Sequence, residues 1–123
     1  MEFTLKQLQV ASKALEKIIN KPMDVKLAYR LAKLSRKITP ELEDLEKVRM
    51  ELIKKLGVED EHKQVKVPDE KHEEFFNEIT KVLEEKVTLD VELIPMDLFE
   101  QLKEVTPMDV MQLEIFLEEK KIV

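Results

Sequence analysis

Few residues in this 123-residue chain are of a type that does chemistry, and their spacing suits almost none of it. His62 and His72 stand too far apart for the four-residue helical spacing that sets two imidazoles on one zinc ion, and no third ligand accompanies them. Both read as surface histidines. Glu59, Asp60 and Glu61 make an acidic run beside His62, but it lacks the alternating oxygen ligands and mid-loop glycine of a calcium loop. It reads as a solvated loop. Ser12 and Ser35 fall inside helical patterns, with no flanking glycine and no nearby histidine to activate a hydroxyl. The single glycine rules out a phosphate-cradling loop or dinucleotide fingerprint, and the absence of cysteine rules out disulfides and thiolate chemistry. Carboxylates abound on helical faces, yet none pairs off as an acid/base couple. The expectation is a non-enzymatic protein with no catalytic residue, no cofactor and no metal.

Two other sets of residues point to binding. Lys26, Arg30, Lys33 and Lys37 recur at helical spacing, and Lys13 and Lys17 lie on the preceding helical segment. If the two segments pack as a hairpin, these six form a basic face able to meet phosphates or an acidic protein. Only Tyr29 is nearby for base stacking, so a solvated or internally paired face is the simpler reading and nucleic acid the less favoured partner. Near the other end Met96, Phe99, Met108, Met111 and Phe116 make an apolar, methionine-rich set. They read first as core and second as an adaptable partner surface.

The elements that must position these residues are mostly helical. Charged residues make up 39% of the chain, Leu, Glu and Lys dominate, and Trp is absent. Each of the five prolines is followed within two residues by an acid: Asp24, Glu41, Asp69, Asp97 and Asp109. That is the pattern of a helix start, where a missing amide costs nothing and an acid meets the positive end of the helix dipole. Thr4 with Gln7, and Thr106 with Asp109, have capping-box spacing. A first helix is expected over about 4–19. From Leu27 through Leu31, Leu34, Ile38, Leu42, Leu45, Val48, Leu52 and Leu56 the apolar steps are threes and fours, with no reset at Pro40. One long helix over about 23–56, kinked at Pro40, keeps that phase where two helices joined by a turn would not. Its far half outruns the first helix and needs cover from the C-terminal half or another copy. Gly57 falls at its C-terminal cap.

Beyond Gly57 the pattern predicts a loop over 58–64, a short strand at about 64–67, and a helix over about 69–85 with Phe75, Phe76, Ile79, Val82 and Leu83 inward. A second strand follows over 87–93, where apolar and polar residues alternate. The two strands and the helix between them suggest a small βαβ-like unit. Two short helices, about 96–104 and 107–120, complete a mainly α fold with a minor β element. The whole reads as one domain in two portions. Residues 1–57 carry 13 Lys/Arg against 8 Asp/Glu, and residues 58–123 carry 8 against 19. Met1 to Gln7 lacks a signal-peptide plan and no segment nears the length of a membrane span, so no membrane association is expected.

Certain segments in order, Leu27-Ala28-Tyr29-Arg30-Leu31-Ala32-Lys33-Leu34, then Glu41 to Gly57, Val65-Lys66-Val67-Pro68, Glu85 to Val91, Leu98, and Thr106 to Glu114, resemble a family of small uncharacterised proteins encoded by tailed bacteriophages and prophages. The resemblance covers roughly residues 25–118. Pro40 departs from the uninterrupted helix of such relatives. The resemblance implies a viral protein of a bacterial host's cytoplasm or of the virion, and it carries over no site residue. Three functions follow as expectations. The first is protein–protein contact, with a phage or host protein or by self-association, as a virion assembly or accessory factor. The second is modulation of a host nucleic-acid enzyme through the acidic half. The third is nucleic-acid binding through the basic arm.

Overall fold

A computed structural model of the chain describes residues 1–118. Its element order is β1 (Glu2–Thr4), α1 (Leu5–Ile18), α2 (Val25–Leu56), β2 (Val58–Glu59), β3 (Val65–Lys66), α3 (His72–Leu83), β4 (Lys86–Thr88), β5 (Ile94–Pro95), α4 (Met96–Phe99), α5 (Pro107–Leu113) and β6 (Leu117–Glu118). Single 3₁₀ turns, Asp69–Lys71 and Glu114–Phe116, lead into α3 and out of α5. The fold is mainly helical and starts with an α1–α2 hairpin.

Capping chemistry sets the helix starts. Thr4 Oγ1 accepts from the Gln7 amide at 3.1 Å while Gln7 Oε1 accepts from the Thr4 amide at 2.9 Å, closing the box that opens α1. Asp24 opens α2, its Oδ1 accepting from the amides of Lys26 at 2.7 Å and Leu27 at 3.2 Å. Pro22 therefore sits ahead of the cap, outside the helix. Of the five prolines, Pro107 alone stands at a first helical position; Pro68 and Pro95 occupy cap positions, and Pro40 lies inside α2.

α2 runs unbroken through Pro40 for 32 residues, about 48 Å, as the apolar phase requires. Its first half buries Leu27, Leu31, Leu34 and Ile38 against Leu8, Ala11, Leu15 and Ile18 of α1. Its far half meets α3 and the β2–β3 hairpin, so the chain itself supplies part of the cover that α1 is too short to give. Leu45 and Leu56 are buried there, whereas Leu42, Val48 and Leu52 stay half-exposed. At Gly57 the φ of −85° suits any residue, so glycine serves by its size rather than its flexibility. A β-carbon at this point would press on the Ile53 carbonyl and lie 2.5 Å from Val65 Cγ1, blocking the return of β3 against the helix end.

The strand–helix–strand order is present, but its two strands do not pair with each other. β3 pairs antiparallel with β2 (Val58 with Lys66), and β4 pairs antiparallel with β1 (Phe3 with Val87). Each strand finds its antiparallel partner outside the unit, β3 in the residues just after α2 and β4 in the residues just before α1. β5 and β6 form the parallel pair instead, Ile94 opposite Leu117. The ladder of β4 stops at Thr88, shorter than the alternation over 87–93, with the Leu89 amide adding one bond to the Met1 carbonyl at 3.0 Å. Phe76, expected inside, is 68% exposed, and Phe75 is half-buried. α4 and α5 are shorter than expected, and residues 119 and 120 of the expected last helix lie outside the described residues.

The core joins both halves. Phe3 on β1 stacks at a tilt on Phe116, ring centroids 4.9 Å apart, and α5 packs on α1 opposite the long helix. Pinned by β1–β4 on one side and α5 on the other, α1 becomes the central element.

Candidate functional site: a groove along the long helix

The basic face expected from sequence is divided, and two of its six bases, Lys17 and Arg30, meet carboxylates of the same chain. Lys17 points to α5, its Nζ 3.4 Å from Oδ1 of Asp109. Arg30 turns to the segment after β4, with Nη1 3.4 Å from the Leu93 carbonyl and 3.7 Å from Glu92 Oε2. Lys33 lies 5.5 Å over the Tyr29 ring, and Lys13 and Lys26 are exposed. Arg30, Lys33 and Lys37 line one wall of a small concavity of about 130 Å³, and Asp90, Val91 and Glu92 line the facing wall. Asp90 and Glu92 offset part of the charge of the three cations there.

Asp109 is the one buried charged residue among those described, 2% exposed. The Thr106 backbone amide donates to its carboxylate at 3.1 Å, and Lys17 approaches from α1. Those bonds, Thr106's first, hold its pKa below the ordinary aspartate range against the opposing effect of burial. A depressed folded-state value gives stability that is complete above the unfolded-chain pKa of about 3.9 and is lost as pH falls through the folded value. Urea midpoints of the wild type and Asp109→Asn should therefore differ at pH 7 and converge below about pH 4; parallel curves would contradict this role. Asp109 is thus a clasp between α5 and α1.

The apolar C-terminal set also separates. Phe99 and Phe116 are core residues, unreachable without opening the fold, and Met96 is half-buried. Met108 and Met111 project from α5 at 54% and 65% exposure. The acidic run serves as a turn: Asp60 Oδ1 accepts from the His62 and Gln64 amides at 2.8 and 2.9 Å, while Lys63 takes a positive φ of 60°. His72 Nε2 sits 2.8 Å from the Val67 carbonyl. Among the described residues no three His, Asp or Glu converge in a metal-holding group, and no helix there is long and apolar enough to cross a membrane.

What the structure adds is a groove. Between α1 and α2, on the side away from Arg30, Lys33 and Lys37, Leu15, Ile19, Ile38 and Leu42 floor a depression of about 320 Å³. Ser12, Ser35 and Thr39 keep its walls low. The groove continues past Leu42 and Glu46 between α2 and α3, over Leu45, Ile79 and Leu83, and then past Arg49 to Ile53, Val65 and Phe75. It follows one stripe of α2, residues 35, 39, 42, 46, 49 and 53, at helical spacing. Glu46 and Arg49 pair along its α2 wall at 2.6 Å, which lowers the glutamate's pKa and raises the arginine's. Sequence reasoning took Ser12 and Ser35 only as failed nucleophiles. Their signal is different: small residues next to an apolar seam, where two helices leave room.

These features define a small α+β protein built on an asymmetric helical hairpin. In comparisons with known proteins, no family model, no curated protein and no solved structure matches the chain.

Proposed function

We propose that this chain works without catalysis, by protein–protein contact, as an assembly or accessory factor of a tailed phage acting in the host cytoplasm. The supporting observation is the apolar groove along α2, which remains open after α1, α3 and the β2–β3 hairpin have covered what they reach. Exposed apolar furrows rimmed by polar groups are the surfaces on which partner segments dock. The basic arm lends less support to nucleic-acid binding, because Lys17 and Arg30 already meet Asp109 and Glu92.

The test uses the tagged chain and its Thr39→Arg variant in lysates of phage-infected cells. Thr39 is exposed in the groove wall, so arginine fills the furrow and removes nothing from the core. The wild type should retain a virion or assembly protein identified by mass spectrometry, and the variant should lose it about tenfold or more. Recovery of no phage protein, or equal recovery by both, would overturn the reading.

A further inference from the structure

Resting on the docking reading above, we infer that the α1–α2 section of the groove receives a basic amphipathic helix from a partner protein. The inference comes from how the fold sorts its charges. Every charged residue lining this section is an acid: Glu16 from α1, and Glu43 and Glu46 from α2. Among the nearby bases of the hairpin, Arg49 is held by Glu46 at 2.6 Å, Lys17 reaches toward α5, and Arg30, Lys33 and Lys37 lie on the far side of α2, so Glu16 and Glu43 carry the charge of the rim. A net basic N-terminal half thus presents an acidic rim around an apolar floor.

Shape agrees with charge. From Ser35 to Glu46 the furrow runs about 17 Å, three helical turns, enough for apolar anchors at i, i+3/i+4 and i+7 of an incoming helix. Ile19, 46% exposed, and the half-exposed Leu42 are the side chains such anchors would cover. Low walls at Ser12, Ser35 and Thr39 let a backbone approach closely, and Glu16 and Glu43 stand where lysines or arginines flanking the anchors would reach. A second copy of this chain supplies no such helix, because its own basic stripe sits on a helix whose apolar face, Leu27, Leu31 and Leu34, is buried.

Two labelled peptides of about 18 residues, long enough to become helical on binding, share one leucine spacing and carry either lysine or glutamate at the polar positions. Affinity is read by fluorescence anisotropy and location by methyl NMR of the full chain. The lysine peptide should bind about tenfold or more tighter and shift the methyls of Leu15, Ile19, Ile38 and Leu42. Glu16→Lys with Glu43→Lys should weaken it about tenfold, while Glu59→Lys with Glu61→Lys, an equal change of net charge in the distant β2–β3 turn, should leave it within about threefold. Equal weakening by both pairs would reduce the effect to net charge and overturn the inference. So would shifts outside the groove. Equal affinity of both peptides at the same methyls would overturn the basic-partner inference and leave docking intact; failure of docking itself is read separately, from the Thr39→Arg capture.

Discussion

Replacing Phe116 by alanine is expected to remove about 3–5 kcal/mol, the range for truncating a buried phenylalanine. The ring is fully buried and lies against Phe3, so its loss opens a cavity where the first strand, α1 and the last described segment meet. None of its neighbours can close in cheaply. Phe3 is held by the β1–β4 ladder, and the chain around residue 116 is held by α5 before it and β6 after it. Small domains have only about 5–15 kcal/mol in total, so the loss is a large fraction of the stability. A shift in urea midpoint at unchanged slope is the measurement. A loss under about 1 kcal/mol would mean that the C-terminal segment is dispensable to the core. The companion Met111→Ala, on the exposed side of α5, should change stability by less than about 0.5 kcal/mol.

That contrast shows where the sequence was readable. Periodicity located α1 and α2, and the capping boxes at Thr4 and Thr106 were visible as spacings because a cap is a contact between residues three apart. Non-local partners were not visible. Val87 sits in a strand whose partner, Glu2–Thr4, is three residues long and too short to alternate, so the N-terminus looked like mere lead-in to a helix. Methionines 108 and 111 and phenylalanines 99 and 116 shared one composition signal but divided between surface and core, a division set by how α5 rolls onto α1. The basic stripe was legible as a stripe. Its carboxylate partners were not, since Asp109 is 92 residues from Lys17, and Glu92 reaches Arg30 from a segment without regular secondary structure. The groove was legible only as a surplus: a helix with more apolar length than its neighbour covers.

Pro40→Ala is expected to stabilise the protein by about 1–2 kcal/mol. A proline inside a helix costs about 3 kcal/mol relative to alanine, because it lacks an amide for the carbonyl four residues back and its ring crowds that carbonyl. Here the carbonyl belongs to Arg36. Pro40 and Arg36 are both exposed, so water meets part of that need and the penalty falls below its full value. A further 0.4–1 kcal/mol or so returns as a cost, since proline also restricts the unfolded chain and alanine releases it. No packing is lost, because the apolar phase on either side, Ile38 and Leu42, lies on the other faces of the helix. The sign is what matters. A gain in urea midpoint would show that α2 is one helix carrying a proline against its own preference, in the middle of the groove stretch between Ser35 and Glu46. A loss of more than about 1 kcal/mol would show instead that α3 and the β2–β3 hairpin pack against a shape only proline gives the helix. Peptide binding measured on the same variant then separates the two roles, because residue 40 lies between Thr39 and Leu42 on the helix that lines the furrow. Stabilisation accompanied by weaker binding would place Pro40 among the residues that shape the groove.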